Sequence, residues 1–517
     1  MLARSCCAAV VGVDAIPVTV EVDVGRGLPV FQIVGLPETA VRESRDRIRT
    51  ALRNGGYGFP KGRITVNLSP ADIRKEGTGF DLAIALGILA ASGLLPREAV
   101  ASHLALGELS LDGRLNPVRG ALAASVLANP VHIQGILVAP ANAAEAAASG
   151  RIPAYGVESL GAAADHLSGR HCLEPRHPVD FSRLADRAEK DADLKDVAGQ
   201  EHAKRALEVA AAGRHNLLMT GPPGSGKTML ARRLPGILPP LLFEEALETS
   251  RIYSAAGLLD SRTGLVVKRP FRAPHHTISD AGLIGGGSHP RPGEVSLAHQ
   301  GVLFLDEFPE FRKGLLEMLR QPLEDRVLTV SRASGSVSFP ASIMLVAAMN
   351  PCPCGYASDP EGRCRCASVA VERYRSRISG PLMDRMDIQI EVPSLAYVDI
   401  RRAGEGESSA KVRERVMMAQ ERQKKRFTGR GFSSNAAMDA AGIREFCKTD
   451  SQGEALLAQA AASLRLSARG VARVLKIART IADLDASQGL NAYHLAEAVQ
   501  YRRFSPEAGG LSGENSR

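Results

Sequence analysis

Apolar and polar residues alternate with a period of two in VTVEVDV (18–24), FQIVGL (31–36) and RITVNL (63–68), which predicts short half-buried strands near the N-terminus. TAVRESRDRIRTALRN (39–54) and FDLAIALGILAAS (80–92) repeat apolar residues at helical spacing instead, so residues 1–167 read as an α/β unit. The polar, proline-punctuated and charged stretch 168–193 reads as a linker. A second unit, 194–392, opens on a helical pattern in DLKDVAGQEHAKRALEVAAAG and then carries three apolar runs of buried-strand length, HNLLMT, GVLFLDEF and SIMLVAAMN. Between the last two, VLTVSR and SVSFPAS flank Ala333–Gly335 and predict a hairpin with Arg332 near its tip. A third unit, 393–507, is helical. In SARGVARVLKIARTIADL the residues Val471, Val474, Leu475, Ala478, Ile481 and Ala482 mark one face, and Arg469, Arg473, Lys476 and Thr480 the other. Residues 508–517 read as a tail. The fold class is a multidomain α/β chain with a helical C-terminal part.

The length, 517 residues, exceeds what one core holds and fits three or four domains. No apolar run approaches the ~18 residues of a membrane span. The N-terminal ARSCCAAVVGV is followed at once by Asp14, Glu21 and Asp23, unlike a secretory leader, so a cytoplasmic protein without a membrane partner is expected. Lys and Arg number 64 against 56 Asp and Glu, a balance that favours a polyanionic partner.

The chemistry is concentrated in the second unit. GPPGSGKT, Gly221, Pro222, Pro223, Gly224, Ser225, Gly226, Lys227 and Thr228, lies between an apolar run and a helix-forming one, the setting of a phosphate-binding loop. Its glycines let backbone N–H groups turn toward phosphate, Lys227 would reach the β- and γ-phosphates, and Thr228 would hold Mg²⁺. Asp306 and Glu307 end the run GVLFLDEF; the first suits Mg²⁺ and the second suits polarising water in line with the γ-phosphate. Asn350, ending SIMLVAAMN, would orient that water. ATP and Mg²⁺ are the expected cofactors.

Together GPPGSGKT, VLFLDE, the hairpin before MNP, SGPLMDRMD and LSARGVARVLKIARTIADL resemble the AAA+ ATPases of the magnesium-chelatase-like branch. From end to end the chain is similar to the bacterial ComM/YifB family, most specifically in the N-terminal segment that runs from GLPVFQIVGLPETAV to FDLAIALGILAASG. The resemblance implies a central AAA+ core, a C-terminal helical lid, assembly into a ring of six, and ATP-driven branch migration or unwinding of DNA in recombination and natural transformation. It makes Arg385 the arginine finger entering a neighbour's site, with Arg377 as rival, and Arg469 the second sensor arginine. The segment LGELSLDGRLNPVRGALAA, with KEGTGFDLAIALGILAA before it, is similar to the Lon protease C-terminal domain, of ribosomal S5 domain 2 type. That alignment puts Gly79 at the nucleophile's place and Leu122 near the lysine's, so no peptidase is expected; Thr78, Lys61 and Lys75 are loose alternatives. The same fold without the dyad occurs in the RadA recombination ATPase.

Two further features bear on partners. PCPCGYASDPEGRCRC offers Cys352, Cys354, Cys364 and Cys366 for a structural Zn²⁺, although the one-residue gap within each pair is tighter than usual. Lys and Arg outnumber Glu ten to four over 401–430, and ERYRSR (372–377) and Arg332 add positive positions, which points to DNA, single-stranded, duplex or branched. The competing reading is a chelatase-type remodeller that drives metal insertion by a partner protein.

Overall fold

Residues 18–24 alternate as their sequence requires: in the computed structural model Val18, Val20 and Val22 of strand β2 (Asp14–Gly25) are buried, and they face the buried Ile64, Val66 and Leu68 of β4 (Arg63–Ser69) in antiparallel register. Residues 1–187, 192–287, 290–332, 335–357, 362–395 and 406–502 are described; the tail 508–517, the first residues of the basic run and the side chain of Arg332 lie outside them. With β1 (Leu2–Val11), β3 (Val30–Val34), β5 (His103–Leu106), β6 (Gly135–Val138) and β7 (Ala154–Gly156) these strands form a mixed seven-stranded sheet in the order β3-β4-β2-β1-β5-β6-β7. Helices α1 (Thr39–Asn54) and α2 (Asp81–Ala91) cover it; α2 is apolar all round and every one of its residues is buried.

The apolar runs of the second unit are the middle of a five-stranded, fully parallel sheet. Its strands are β8 (Leu217–Thr220), β9 (Phe271–Arg272), β10 (Val302–Leu305), β13 (Met344–Met349) and β14 (Ile388–Glu391), ordered β9-β10-β13-β8-β14. Parallel strands buried on both faces read as continuous apolar runs, which explains VLFL and MLVAAM. Loops at the carboxyl ends of such strands share one edge, where open α/β sheets bind ligands. The hairpin is β11 (Val327–Arg332) and β12 (Gly335–Pro340). One face of it rests on the N-terminal unit: Val13, in the β1–β2 turn, joins the cluster containing Leu328, Val330 and Phe339, and a Cβ on Gly12 would lie 2.5 Å from Val337.

Helices α3 (Glu201–Gly213), α4 (Ser409–Arg426) and α5 (Ala468–Leu484) pack on one another beside the parallel sheet. The helical pattern before the phosphate loop starts only at Glu201, because Gly199 and Gln200 both take left-handed backbone. Both faces of α5 are engaged. Val474, Ile477, Ala478 and Ile481 fill the core, while Thr480, on the polar side, is fully buried with its Oγ1 2.8 Å from His215 Nε2. The stretch expected as linker includes a helix, Phe181–Arg187, where Asp180 accepts from the Ser182 N–H and Phe181 meets Phe243 edge-on at 5.8 Å.

Candidate functional site

The loop after β8 opens into a cleft of about 710 Å³. Gly224 and Gly226 have φ of +75° and +90°, and a Cβ on either would meet nothing, so both turn freely toward the cleft. Gly221 is needed for closeness instead: a Cβ there would lie 2.2 Å from the Val392 carbonyl oxygen. Lys227, almost buried, donates to the carbonyls of Gly221 at 2.7 Å and Pro222 at 2.8 Å and lies 3.4 Å from Asn350 Oδ1. Burial pushes its amine below the usual lysine range, against the pull of Asp306.

Parallel pairing of β10 with β13 and of β13 with β8 brings Asp306 and Asn350 to the edge where the loop opens. Thr228 donates to Asp306 Oδ2 at 2.6 Å, so a hydroxyl and a carboxylate converge, the hard oxygen set that suits Mg²⁺. Glu307 follows in left-handed backbone at φ 51° with its side chain half exposed, and His276 Nδ1 stands 2.9 Å from its Oε2. Sequence reading missed His276, and with it His275 and Arg232, which also line the cleft. The signal for the two histidines was their doubling in RAPHHT, a segment without periodicity that the pairing of β9 beside β10 delivers next to Glu307, while Arg232 follows the short helix Lys227–Ala231 after the phosphate loop.

Arg385 and Arg469 are elsewhere. They line a second cleft of about 280 Å³ with Arg473, Lys476, Asp387 and Glu324, and no residue lines both clefts. Arg385 is buried and ion-paired with Glu324, and Arg469 is exposed. Arg214, on the same cleft, is pushed down to about 10 by burial and by the charges of Arg269 and Arg326. Burial alone would lift the Asp387 carboxyl, but the His215 hydrogen bond and the Arg473 charge bring it below its ordinary range. Arg377, the rival finger, pairs with Glu310 at 2.7 Å.

The four clustered cysteines come together with all sulfurs within 4.8 Å of one another. Separations of 3.3 Å (Cys352–Cys354) and 3.7 Å (Cys352–Cys364 and Cys354–Cys364) are close to the ~3.8 Å edge of a tetrahedron with ~2.3 Å Zn–S bonds, and far from a disulfide. Hydrogen bonds from the Tyr356 backbone and from Cys352 lower the Cys354 thiol to about 6.

Other expected positions are placed as follows. A Cβ on Gly79 would press on Leu106, Leu122 is fully buried, and Lys75 donates to the Pro70 carbonyl. Much of the basic run is used internally: Arg415 pairs with Glu208 and Glu407, Arg426 with Asp483, and Arg430 with Glu445, while Arg422 donates to the Asp483 carbonyl. Among the described residues no helix is long and apolar enough to cross a membrane.

Comparison with known proteins yields three family matches: "Subunit ChlI of Mg-chelatase" over residues 20–142, "Magnesium chelatase, subunit ChlI" over 193–400 and "Magnesium chelatase, subunit ChlI C-terminal" over 406–502. The chain is 45% identical over 495 residues to YifB of Escherichia coli (strain K12), covering 96% of each. It is 44% identical over 495 residues to competence protein ComM of Haemophilus influenzae, covering 95% of each. A shorter likeness, 32% over 154 residues, links it to Lon protease 2 of Bacillus subtilis and covers 27% of this chain and 26% of that one.

Proposed function

The chain belongs to the magnesium chelatase subunit ChlI family, in its ComM/YifB branch, and on that premise we propose that it is an ATP-hydrolysing ring motor that acts on DNA in the cytoplasm. Lys227 and the loop N–H groups bind the phosphates, Thr228 and Asp306 hold Mg²⁺, Glu307 takes the proton of the attacking water, and Asn350 orients that water. When bound there, Mg²⁺ would supply positive charge against the phosphates during transfer. The observation that carries the ring is the separation of two half-sites: the phosphate loop and Glu307 line one cleft, Arg385 and Arg469 another. In a head-to-tail hexamer the second cleft of one subunit closes on the first cleft of its neighbour, and each guanidinium meets a γ-phosphate. The four thiolates hold one structural Zn²⁺.

The N-terminal unit, 1–167, is Lon-like without peptidase chemistry and builds the ring or faces DNA. The hairpin lies in sequence between Glu307 and Asn350, so hydrolysis moves it, and Arg332 at its tip grips a DNA phosphate. The relative ComM is named a competence protein, which favours a role in natural transformation, and branch migration is the work this reading assigns. The test measures ATPase activity with and without single-stranded, duplex and forked DNA, together with migration of a synthetic four-way junction. Stimulation and migration are expected, and Arg332→Ala should leave basal ATPase unchanged, weaken DNA binding, and reduce its salt slope by about one contact. The family's name favours the alternative, a chelatase-type remodeller that drives metal insertion by a partner protein, and an ATPase indifferent to DNA that moves no junction would return the advantage to it.

A further inference from the structure

The cysteine cluster touches the phosphate loop. Cys352 is fully buried and stands two residues after Asn350. Gly355, at φ +87°, donates its N–H to the Cys352 carbonyl at 3.0 Å. A Cβ on Gly355 would lie 2.5 Å from Pro223 Cδ and 2.8 Å from its Cγ, so the turn that carries the first two ligands and ends at Gly355 packs directly on the phosphate loop. The far end of the cysteine segment returns to the same place. Helix α6 (Ser368–Arg375) starts two residues after Cys366; Arg375 Nε and Nη2 each donate to the Pro351 carbonyl at 3.3 Å, and the Tyr374 hydroxyl takes a hydrogen bond from the Asn350 backbone. Both ends of the segment are therefore fastened around Asn350, while its turn bears on Pro223.

We propose that a soft divalent cation, Zn²⁺, on Cys352, Cys354, Cys364 and Cys366 holds Pro223 and Asn350 in place, so that nucleotide affinity depends on this second metal, about one per chain, which never touches the nucleotide. The proposal rests on the phosphate-loop reading. Without the metal the four sulfurs lose their common anchor, the Gly355 turn loosens from Pro223, and the loop is no longer preorganised for phosphate. Mg²⁺ cannot substitute, because thiolates select zinc over hard cations.

The test compares bound zinc with the Kd of a fluorescent ATP analogue in Mg²⁺ buffer. Wild type is expected to hold about one zinc per chain. A zinc-selective chelator should weaken analogue binding at least about tenfold, and added Zn²⁺, but not further Mg²⁺, should restore it. Cys366→Ser should lose the zinc and the affinity together. Gly355→Ala should keep the zinc and still bind at least about tenfold more weakly, since its methyl pushes Pro223 without removing a ligand. Unchanged affinity after zinc loss, wild-type affinity in Gly355→Ala, or protein purified without stoichiometric zinc would each overturn the coupling. No analogue binding by zinc-loaded wild type would instead remove the phosphate-loop reading on which the coupling rests.

Discussion

In the cleft around Lys227 the charged groups are answered from within the chain: the lysine by loop carbonyls, Asp306 by Thr228, Glu307 by His276. In the cleft around Arg469 the answer is incomplete: Arg385, Arg473, Arg214, Arg326 and Lys476 each find a partner in the chain, but among the described residues Arg469 does not. Arg214, Arg326, Arg385, Arg469, Arg473 and Lys476 line it with Glu324 and Asp387, six cations against two carboxylates; Arg473 Nη1 adds only a long ion pair to Asp384 at 3.6 Å, and the buried Nε of Arg385 lacks a hydrogen-bond partner. Buried donors left unpaired are costly, and cations gathered so closely destabilise one another. A surplus of this kind is offset when an anion arrives from outside, and a phosphate presented by the next subunit is one that the ring reading supplies. The contrast is that the first cleft balances its charges within one chain, while the second holds an excess of cations that an anion from outside would offset.

The sharpest way to break that contrast acts on the first cleft. Lys227→Ala is expected to weaken nucleotide binding by at least about 100-fold, whereas Glu307→Gln should bind normally and lose about 10²–10⁴-fold in turnover. Equilibrium binding and steady-state ATPase separate the two. Equal affinity in wild type and Lys227→Ala would end the assignment.

The second cleft is tested by mixing. Arg469→Ala should lower ATPase about 10³-fold with binding retained, as loss of an arginine supplied in trans does. Mixed in equal amounts with Glu307→Gln, it should recover about a quarter of wild-type activity, because random assortment in a head-to-tail ring joins an intact first cleft to an intact second cleft at that fraction of interfaces. No recovery in rings shown to exchange subunits would place both residues in one chain's site.

A smaller effect separates the clefts by stability. Helix α5 carries Arg469 and Arg473, and Thr480 on the same helix bonds the buried His215, which bonds Asp387 in turn. Thr480→Val leaves His215 Nε2 unpaired and should cost about 1–3 kcal/mol in denaturant unfolding. Nucleotide affinity should stay as in wild type, since no part of that chain reaches the first cleft.

How much of this could be read in advance follows from what each position needs. GPPGSGKT, Asp306, Glu307 and Asn350 are set by local chemistry at strand ends and were visible in the sequence, whereas His275, His276 and Arg232, which line the same cleft, were not. The parallel sheet's apolar runs were visible for the same reason. What stayed hidden depends on contacts across the chain. Thr480 sits on a face that looked polar, yet His215, 265 positions away, buries it. The basic run looked free, yet carboxylates in other helices claim Arg415, Arg426 and Arg430. Phe181 sat in a stretch too polar to signal a helix, and its ring partner Phe243 lies in another element. The fourfold cysteine pattern was plain, but its contact with Pro223 rests on one left-handed glycine.

His276 gives the finest test of the first cleft's self-sufficiency. Among the described residues it is the side chain that pairs with the Glu307 carboxylate, at 2.9 Å, and Glu307 is held in left-handed backbone that a non-glycine residue rarely adopts. A carboxylate that must align one water gains from a fixed hydrogen-bond donor, which spares it from sampling other rotamers at the moment of reaction. If Glu307 acts as proposed, His276 is its positioning residue. His276→Ala should lower kcat about tenfold with KM unchanged, and His276→Asn, which keeps an N–H donor, should recover most of the loss. A merely structural histidine would change both constants together or neither. If KM rises while kcat holds, the imidazole belongs to phosphate binding, and the first cleft owes the aim of its carboxylate to some other group.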